Sequence, residues 1–335
     1  MKIEENYSLE HLNTFRLPVR SRWFVEYENE SELIEILSDG NFRNQFSLHI
    51  GKGSNMLFLG DINGVVLHSA IKGMWVVKET DDLVLLRVGA AECWDDVVAF
   101  AVEKGWGGIE NLSLIPGETG AAAVQNIGAF GVEISDVVDG VEAFHTLDVE
   151  KRIFSAPDCM YGYRTSIFKD INAYIITYVT LRLQKNPVFN LEYGNLKEIC
   201  NTDQPATLQK IRETVIDIRR KKLPDPDELS NAGSFFMNPV VTTEKLRSLL
   251  KDYPSMPYYP TTSDGIKLSA GWLIEQCGLK GKRFGQVGVY EHHALIIVNY
   301  GGATGNEIAR LADHINEAVD KRFGLRLIPE VRYVG

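Results

Sequence analysis

The stretch from Pro116 to Gly131 constrains this chain more than any other. Its one charged side chain is Glu118, and Gly and Ala recur throughout. It reads as a long, low-bulk loop running from Ile115, and loops of that length are usually functional or disordered. So little side-chain volume leaves two readings open. A flat aromatic cofactor and its pyrophosphate lie against the backbone, or the segment packs tightly inside the protein. Earlier in the chain, Gly51-Lys52-Gly53-Ser54-Asn55 follows directly on a short apolar strand, Phe46 to Ile50. Met56 stands where a dinucleotide fingerprint needs its third glycine, and there is no Walker sequence. Such a turn either aims successive N–H groups at an anion, helped by Ser54 and Asn55, or is a plain tight turn.

A chain of 335 residues is expected to form two or three domains. Its formal net charge of -10 disfavours general nucleic-acid binding. No apolar run approaches the roughly 18 residues that a membrane helix needs. Met1 to Asn6 lack the charged-then-apolar order of a signal peptide. Cys93, Cys159, Cys200 and Cys277 stand far apart, with neither CxxC nor zinc spacing, so each is read as a small buried hydrophobe. A cytoplasmic enzyme or binding protein is the expectation.

Periodicity gives the elements. Asn29 and Glu32 have capping-box spacing, Leu33, Ile36 and Leu37 form a helical face, and Asp39-Gly40 ends it. Leu83 to Val88 is a strand, followed by a helix with Trp94, Val97, Val98, Ala101 and Val102 on one face. Val137 to Phe144, Lys151 to Phe154 and Tyr174 to Leu183 read as an antiparallel sheet. Thr207 to Lys222 is helical, with Leu208, Ile211, Val215 and Ile218 on one stripe, and Leu223-Pro224-Asp225-Pro226-Asp227 marks a domain boundary. Beyond it come a helix from Ala270 to Cys277 and a strand from Ala294 to Asn299. A further helix is boxed by Thr304 and Glu307, carries Ile308, Leu311, Ile315 and Val319, and stops at Gly324. A final strand would alternate Leu325, Leu327, Val331 and Tyr333 with Arg326, Glu330 and Arg332.

Asn231-Ala232-Gly233-Ser234-Phe235-Phe236 places a lone hydroxyl between small residues and two rings that could wall off water. Ser234 is either a small buried residue or an aimed proton donor. Basic residues Arg219 to Lys222 complement a helix C-terminus, and Lys222, beside the boundary turn, could equally hold a diphosphate. His292-His293 lacks a third ligand at sensible spacing, so no metal site is expected.

Taken together, Asn13-Thr14-Phe15, the Gly51–Asn55 turn, Ile115-Pro116-Gly117, Gln125-Asn126-Ile127-Gly128-Ala129-Phe130-Gly131, Gly162-Tyr163-Arg164, Lys222 to Pro226, Asn231 to Phe236, Gly271 to Ile274 and Pro329-Glu330-Val331-Arg332 form an ordered set. In it the chain resembles the UDP-N-acetylenolpyruvoylglucosamine reductase family (UDP-N-acetylmuramate dehydrogenases), type I. The resemblance implies an α+β fold: a two-part FAD-binding unit of the vanillyl-alcohol-oxidase (PCMH) type and a C-terminal α+β substrate-binding domain. It divides the chain into residues 1–70 with 325–335, residues 71–218 and residues 219–324. It implies non-covalent FAD on Gly51, Lys52, Gly53, Ser54, Asn55, Pro116, Gly117, Gly120, Gln125, Asn126, Ile127, Gly128, Phe130 and Gly131. Neither glycine-rich segment contains a His or Cys that could tether a flavin. It places a nucleotide-sugar substrate against Tyr163, Tyr193 (in Leu191-Glu192-Tyr193-Gly194), Lys222, Asn238 and Lys280, in a monomer. Phe130, Met237 and His293 depart from the family's Tyr, Lys and Gln.

The implied reaction reduces an enol ether beside a carboxylate. NADPH reduces FAD, N5 delivers hydride to C3, and Ser234 protonates C2. The negative charge that develops needs fixed donors. Arg164 offers a permanent charge and a fork matched to carboxylate. Glu330 would act as an acid or an orienting group, and as an acid it needs burial to raise its pKa. An alcohol oxidase of the same architecture is one competing reading. A non-catalytic nucleotide-sugar sensor is another, and it would not need Ser234, Arg164 and Glu330 together.

Overall fold

A computed structural model of the chain describes residues 1–169, 173–193, 196–200, 205–260 and 265–335. They group into two compact units. The first comprises Met1–Tyr7, Arg20–Lys52 and Ile62–Lys221, the second Ser8–Val19, Gly53–Asp61 and Lys222–Gly335. The boundary at Lys222 falls just before the Pro-Asp-Pro turn.

The first unit holds two sheets. Arg20–Tyr27, Ile62–Ser69 and Phe46–Ile50 run parallel, with Lys2–Ser8 beside Arg20–Tyr27. The crossover helix Glu30–Ser38 buries Leu33, Ile36 and Leu37 on Val25, Tyr27, Val65 and Leu67. Asn29 caps it by accepting from the Glu32 amide, while Glu32 reaches one residue further back, to the Glu28 amide at 2.8 Å. The second sheet is antiparallel, in the order Lys151–Ser155, Val138–His145, Tyr174–Gln184, Leu83–Gly89, Met74–Glu79. Helix Trp94–Glu103 buries the five residues of its expected face. Helix Leu208–Lys222 buries Ile211 and Val215, and its Arg212 forks onto Asp95 at 2.6 and 2.9 Å.

The low-bulk stretch is not a loop throughout. Thr119–Gln125 is an α-helix, because three consecutive alanines have high helix propensity and Ala122 and Ala123 pack inward. Asn126 ends it in the left-handed conformation, φ 49. A two-residue hairpin follows, Gly128–Ala129 paired with Val132–Glu133, and both corner residues have positive φ, Phe130 at 49 and Gly131 at 79. That is the backbone of a type I′ turn, which Gly adopts freely and a bulky Phe rarely does.

The second unit has an antiparallel sheet in the order Ser230–Ser234, Ile296–Asn299, Val287–Val289, Arg283–Phe284. Helix Gly305–Phe323 buries Ile308, Leu311, Ile315 and Val319. Both bonds of its Thr304–Glu307 capping box form, and Gly324 ends it at φ 61. The final strand is shorter than expected. Only Arg332–Val334 is strand, paired in parallel with Met56–Phe58. Arg326 and Glu330 therefore share no strand face. Residues 325–328 are irregular, and Pro329, which has no N–H to offer, makes an isolated bridge with Phe236. Cys159 and Cys200 are buried, Cys93 and Cys277 only half-buried, and all four are free thiols.

Thr304→Ala should cost about 1 kcal/mol of stability, the usual worth of an N-cap. Urea unfolding of the two proteins side by side measures it.

Candidate functional site

In the second unit the expected proton donor sits on a bulge. The buried Asn231 donates to the carbonyls of Leu229 at 2.8 Å and Pro224 at 3.3 Å, and accepts from the Gly233 amide at 2.8 Å. This turns Gly233 to φ 69, and the ladder with Ile296–Asn299 slips between Asn231 and Ser234. Ser234 is half-buried beside it. Phe235 and Phe236 are core residues: Phe235 packs on Phe15 at 6.4 Å and on Tyr333 at 6.1 Å. They anchor the serine's segment from below.

Glu330 is fixed to the same segment. Its amide and that of Val331 both donate to the Phe235 carbonyl, at 2.8 and 3.4 Å, and Met237 donates to Ile328 at 2.9 Å. Asn55 closes the group: its side chain donates to the Glu330 carbonyl at 3.2 Å and its own carbonyl accepts from Arg332 at 3.0 Å. Asn13, buried, spends its amide on Leu9 and Leu17, which shapes the loop whose Thr14 carbonyl accepts from the Asn231 amide at 3.0 Å. Gly53 has φ 60, and an added Cβ would stand 2.9 Å from the Asn13 Cα. Sequence reasoning used Asn13 to Phe15 only as one segment of the resemblance and gave Asn13 no structural role, since its bonds to the Leu9 and Leu17 carbonyls leave no mark in the sequence.

The expected substrate contacts of this unit divide. Lys222 and Lys280 both act electrostatically on His293, whose pKa is held below the usual histidine range by burial first and then by these two lysines. Lys280 is also paired with Glu275 at 3.0 Å. Asn238 accepts from the Ala270 amide at 2.9 Å and so supports the start of helix Ala270–Gln276.

In the first unit Arg164 stands at the corner of a tight turn closed by reciprocal Gly162–Thr165 bonds of 3.0 and 3.1 Å, with φ 56. Its guanidinium lies 5.1 Å from the Tyr163 ring. It donates to the carbonyls of Gly128 at 2.7 Å and Asn126 at 3.3 Å, and to Glu133 at 3.3 Å. This is a partly buried anchor, not a surface ion pair. Asn126 ties the same residues together, donating to Glu133 and the Gly162 carbonyl at 2.9 Å each. Glu133, absent from the sequence reading, completes the cluster. Phe130 and Tyr193 meet edge to face at 5.9 Å. Gly194, in the expected substrate loop, lies outside the described residues.

The glycines of this unit are explained first by packing. A Cβ on Gly51 would stand 2.6 Å from Glu118 Oε2, and one on Gly120 would stand 2.9 Å from Ala90. Gly117 has φ 124 and accepts from the Trp94 amide. Glu118 is buried, and burial pushes its pKa up to about 7 against the pull of Lys52 and Lys72. The surface left by residues 116–131 is therefore uncharged: Pro116 and Ala121 exposed, Gln125, Ile127, Gly128 and Ala129 half-buried. Lys52 and Ser54, in the other glycine-rich segment, are exposed and half-buried. An uncharged strip of small residues and, near Glu118, a lysine fit a flat dinucleotide cofactor. Among the described residues no cluster of His, Cys, Asp or Glu is arranged to hold a metal.

Residues 22–147, which include the uncharged strip, match the FAD binding domain, and that makes the chain a member of the FAD-binding proteins. Residues 225–334 match the C-terminal domain of UDP-N-acetylenolpyruvoylglucosamine reductase. Proteins of that name are similar over their whole length: 49% identical in Porphyromonas gingivalis, covering 100% of both chains, and 44% in Bacteroides fragilis, covering 99% of this chain and 100% of the relative. The crystal structure of the Thermus caldophilus UDP-N-acetylenolpyruvylglucosamine reductase shares the fold, with a TM-score of 0.71 at 24% identity over 100% of both chains. The chain belongs to the UDP-N-acetylenolpyruvoylglucosamine reductase family.

Asn231→Ala removes three hydrogen bonds from a buried side chain and should cost about 2–4 kcal/mol in urea unfolding. Glu118 carries a stability signature of its own. Its pKa in the folded protein is about 7, above the 4.5 of a free glutamate, so its contribution is present below 4.5 and lost as pH rises through 7. Glu118→Gln should therefore gain on the order of 3 kcal/mol relative to the parent between pH 4.5 and 8. His49, drawn down to about 3 by burial, acts with the opposite sign in both proteins and drops out of the difference.

Proposed function

We propose that the chain reduces UDP-N-acetylglucosamine enolpyruvate to UDP-N-acetylmuramate in peptidoglycan synthesis, with NADPH as reductant. The observation that carries this is the double acceptance at the Phe235 carbonyl, which holds the backbone of Glu330 against the residue that follows Ser234. Full-length relatives named for this reaction support it. NADPH as the electron source, a monomeric state and a cytoplasmic site of action belong to the same reading.

Bound FAD supplies the hydride chemistry. Gly51 to Asn55 and the strip 116–131, with Phe130, would hold it without a covalent link. Ser234 donates its hydroxyl proton to C2 of the enolpyruvyl group. A serine hydroxyl is a weak acid in water, but transfer to a carbanion-like carbon is downhill. The Gly233 bulge fixes the backbone that carries this hydroxyl, and the two buried Phe keep it from shifting. Arg164, held rigid on the Gly128 and Asn126 carbonyls, supplies positive charge for the substrate carboxylate as negative charge spreads into it. Glu330, in its neutral form, assists proton delivery or orients the reacting group. Lys222 and Lys280 hold the diphosphate of the nucleotide sugar, and Tyr163, Tyr193 and Asn238 its remaining polar groups.

Ser234→Ala should keep NADPH-driven bleaching of the flavin at its parental rate. Product formation should fall by roughly 10² to 10⁴. Stopped-flow absorbance of the two half-reactions separates them. Equal loss of both would reject the proton-donor role.

A further inference from the structure

Behind Gly51 lies a group of ionisable side chains that the reaction does not use. His68 stands between two carboxylates. Its Nδ1 is 3.0 Å from Glu26 Oε2 and its Nε2 is 3.8 Å from Glu118 Oε1. The Glu26 contact fixes the tautomer: Nδ1 carries the hydrogen and Nε2 is left as a bare acceptor. That Nε2 is buried with no hydrogen-bond partner. With Glu118 ionised, a lone pair would face a carboxylate away from water, which is costly. One added proton, on Glu118 Oε1 or on Nε2, turns this repulsive approach into an attractive one, and closing the 3.8 Å gap by less than about 1 Å makes it a hydrogen bond.

Glu118 Oε2 meanwhile lies against the space beside Gly51, 2.6 Å from where a Cβ would sit. The surrounding charges come from every neighbouring element. Lys52 and Lys72 are the cations acting on Glu118 and Glu26 the opposing acid, while burial first and Lys72 after it hold His68 below the usual histidine range against the pull of Glu26; His49 is bonded to Tyr27 at 2.8 Å. Lys72 is committed to the Ala91 carbonyl and to Glu92. Phe24 stacks on the His68 ring at 5.9 Å.

We propose that Glu118 and His68 share one proton beneath the Gly51–Lys52 turn, and that a dinucleotide diphosphate settling on that turn draws the proton in from solvent. The proposal rests on the FAD reading of this turn. A diphosphate brings negative charge towards a buried carboxylate, and protonating the pair removes the repulsion. Binding an anion therefore favours the protonated pair. Affinity is highest where the pair is already protonated and weakens as pH climbs above about 7.

Calorimetric titration of FAD into the full-length apoprotein, in two buffers of different ionisation enthalpy, counts the protons. About one proton per FAD is expected at pH 8 and almost none at pH 5.5, with the dissociation constant rising up to about tenfold per pH unit above 7. Glu118→Gln should bind FAD with no proton uptake and a flat pH profile. FAD binding without uptake at pH 8 overturns the proposal and leaves the cofactor reading intact. Uptake that persists in Glu118→Gln overturns the assignment to this pair. An apoprotein that takes up no FAD at all removes the cofactor reading and the proposal with it. The wild-type titration decides alone if the variant does not fold.

Discussion

One carbonyl oxygen organises the second unit. Phe235 accepts from two successive amides, Glu330 and Val331, while its own amide donates to Leu295 at 2.8 Å. The peptide that follows Ser234 is thereby fixed on both sides, and Asn55 fixes the far side of Glu330. Each of these bonds is modest alone, but the groups are shielded and would be expensive to leave unpaired. The proton-donor role proposed for Ser234 requires backbone this well determined, since small misplacement is costly in rate. The bulge at Gly233 fits the same logic, because it re-aims a side chain where a regular ladder would not.

In the first unit the governing constraint is where charge goes. The strip 116–131 has one ionisable side chain, and the fold turns it inward, under Gly51. The outer face stays neutral and the inner face acquires a titrating pair. Arg164, far off in sequence, is brought to the end of this strip by its bonds to the Gly128 and Asn126 carbonyls and to Glu133, so its position is set mainly by backbone.

Much of the architecture was legible in the chain. Helix stripes such as Ile308, Leu311, Ile315 and Val319, and the antiparallel runs around Tyr174–Gln184, carry strong periodicity and appear where it puts them. Two elements were not. Gly and Ala between Thr119 and Gln125 carry no polar–apolar alternation, so a helix whose inner and outer faces are both small and uncharged looks like a loop. Leu325 to Val331 alternates like a strand, yet Pro329 and the pairing of Glu330 with Phe235 bend it into single bridges. At the candidate site the residue types were readable but their partners were not. Glu133 beside Arg164, His68 beside Glu118 and Asn13 inside its loop are set by contacts between distant segments.

The Asn55–Glu330 bond joins residues 275 positions apart. Ser8–Val19 and Gly53–Asp61 likewise belong with a unit whose remainder starts at Lys222. At a ribosomal pace of roughly 5–20 residues per second, these early segments wait on the order of 15–55 s for their partners to be made. Met56, Leu57 and Phe58 spend that interval as an unpaired apolar edge. The second unit therefore cannot close around Met56–Phe58 until Arg332–Val334 has been made, so its order of assembly runs against its order of synthesis.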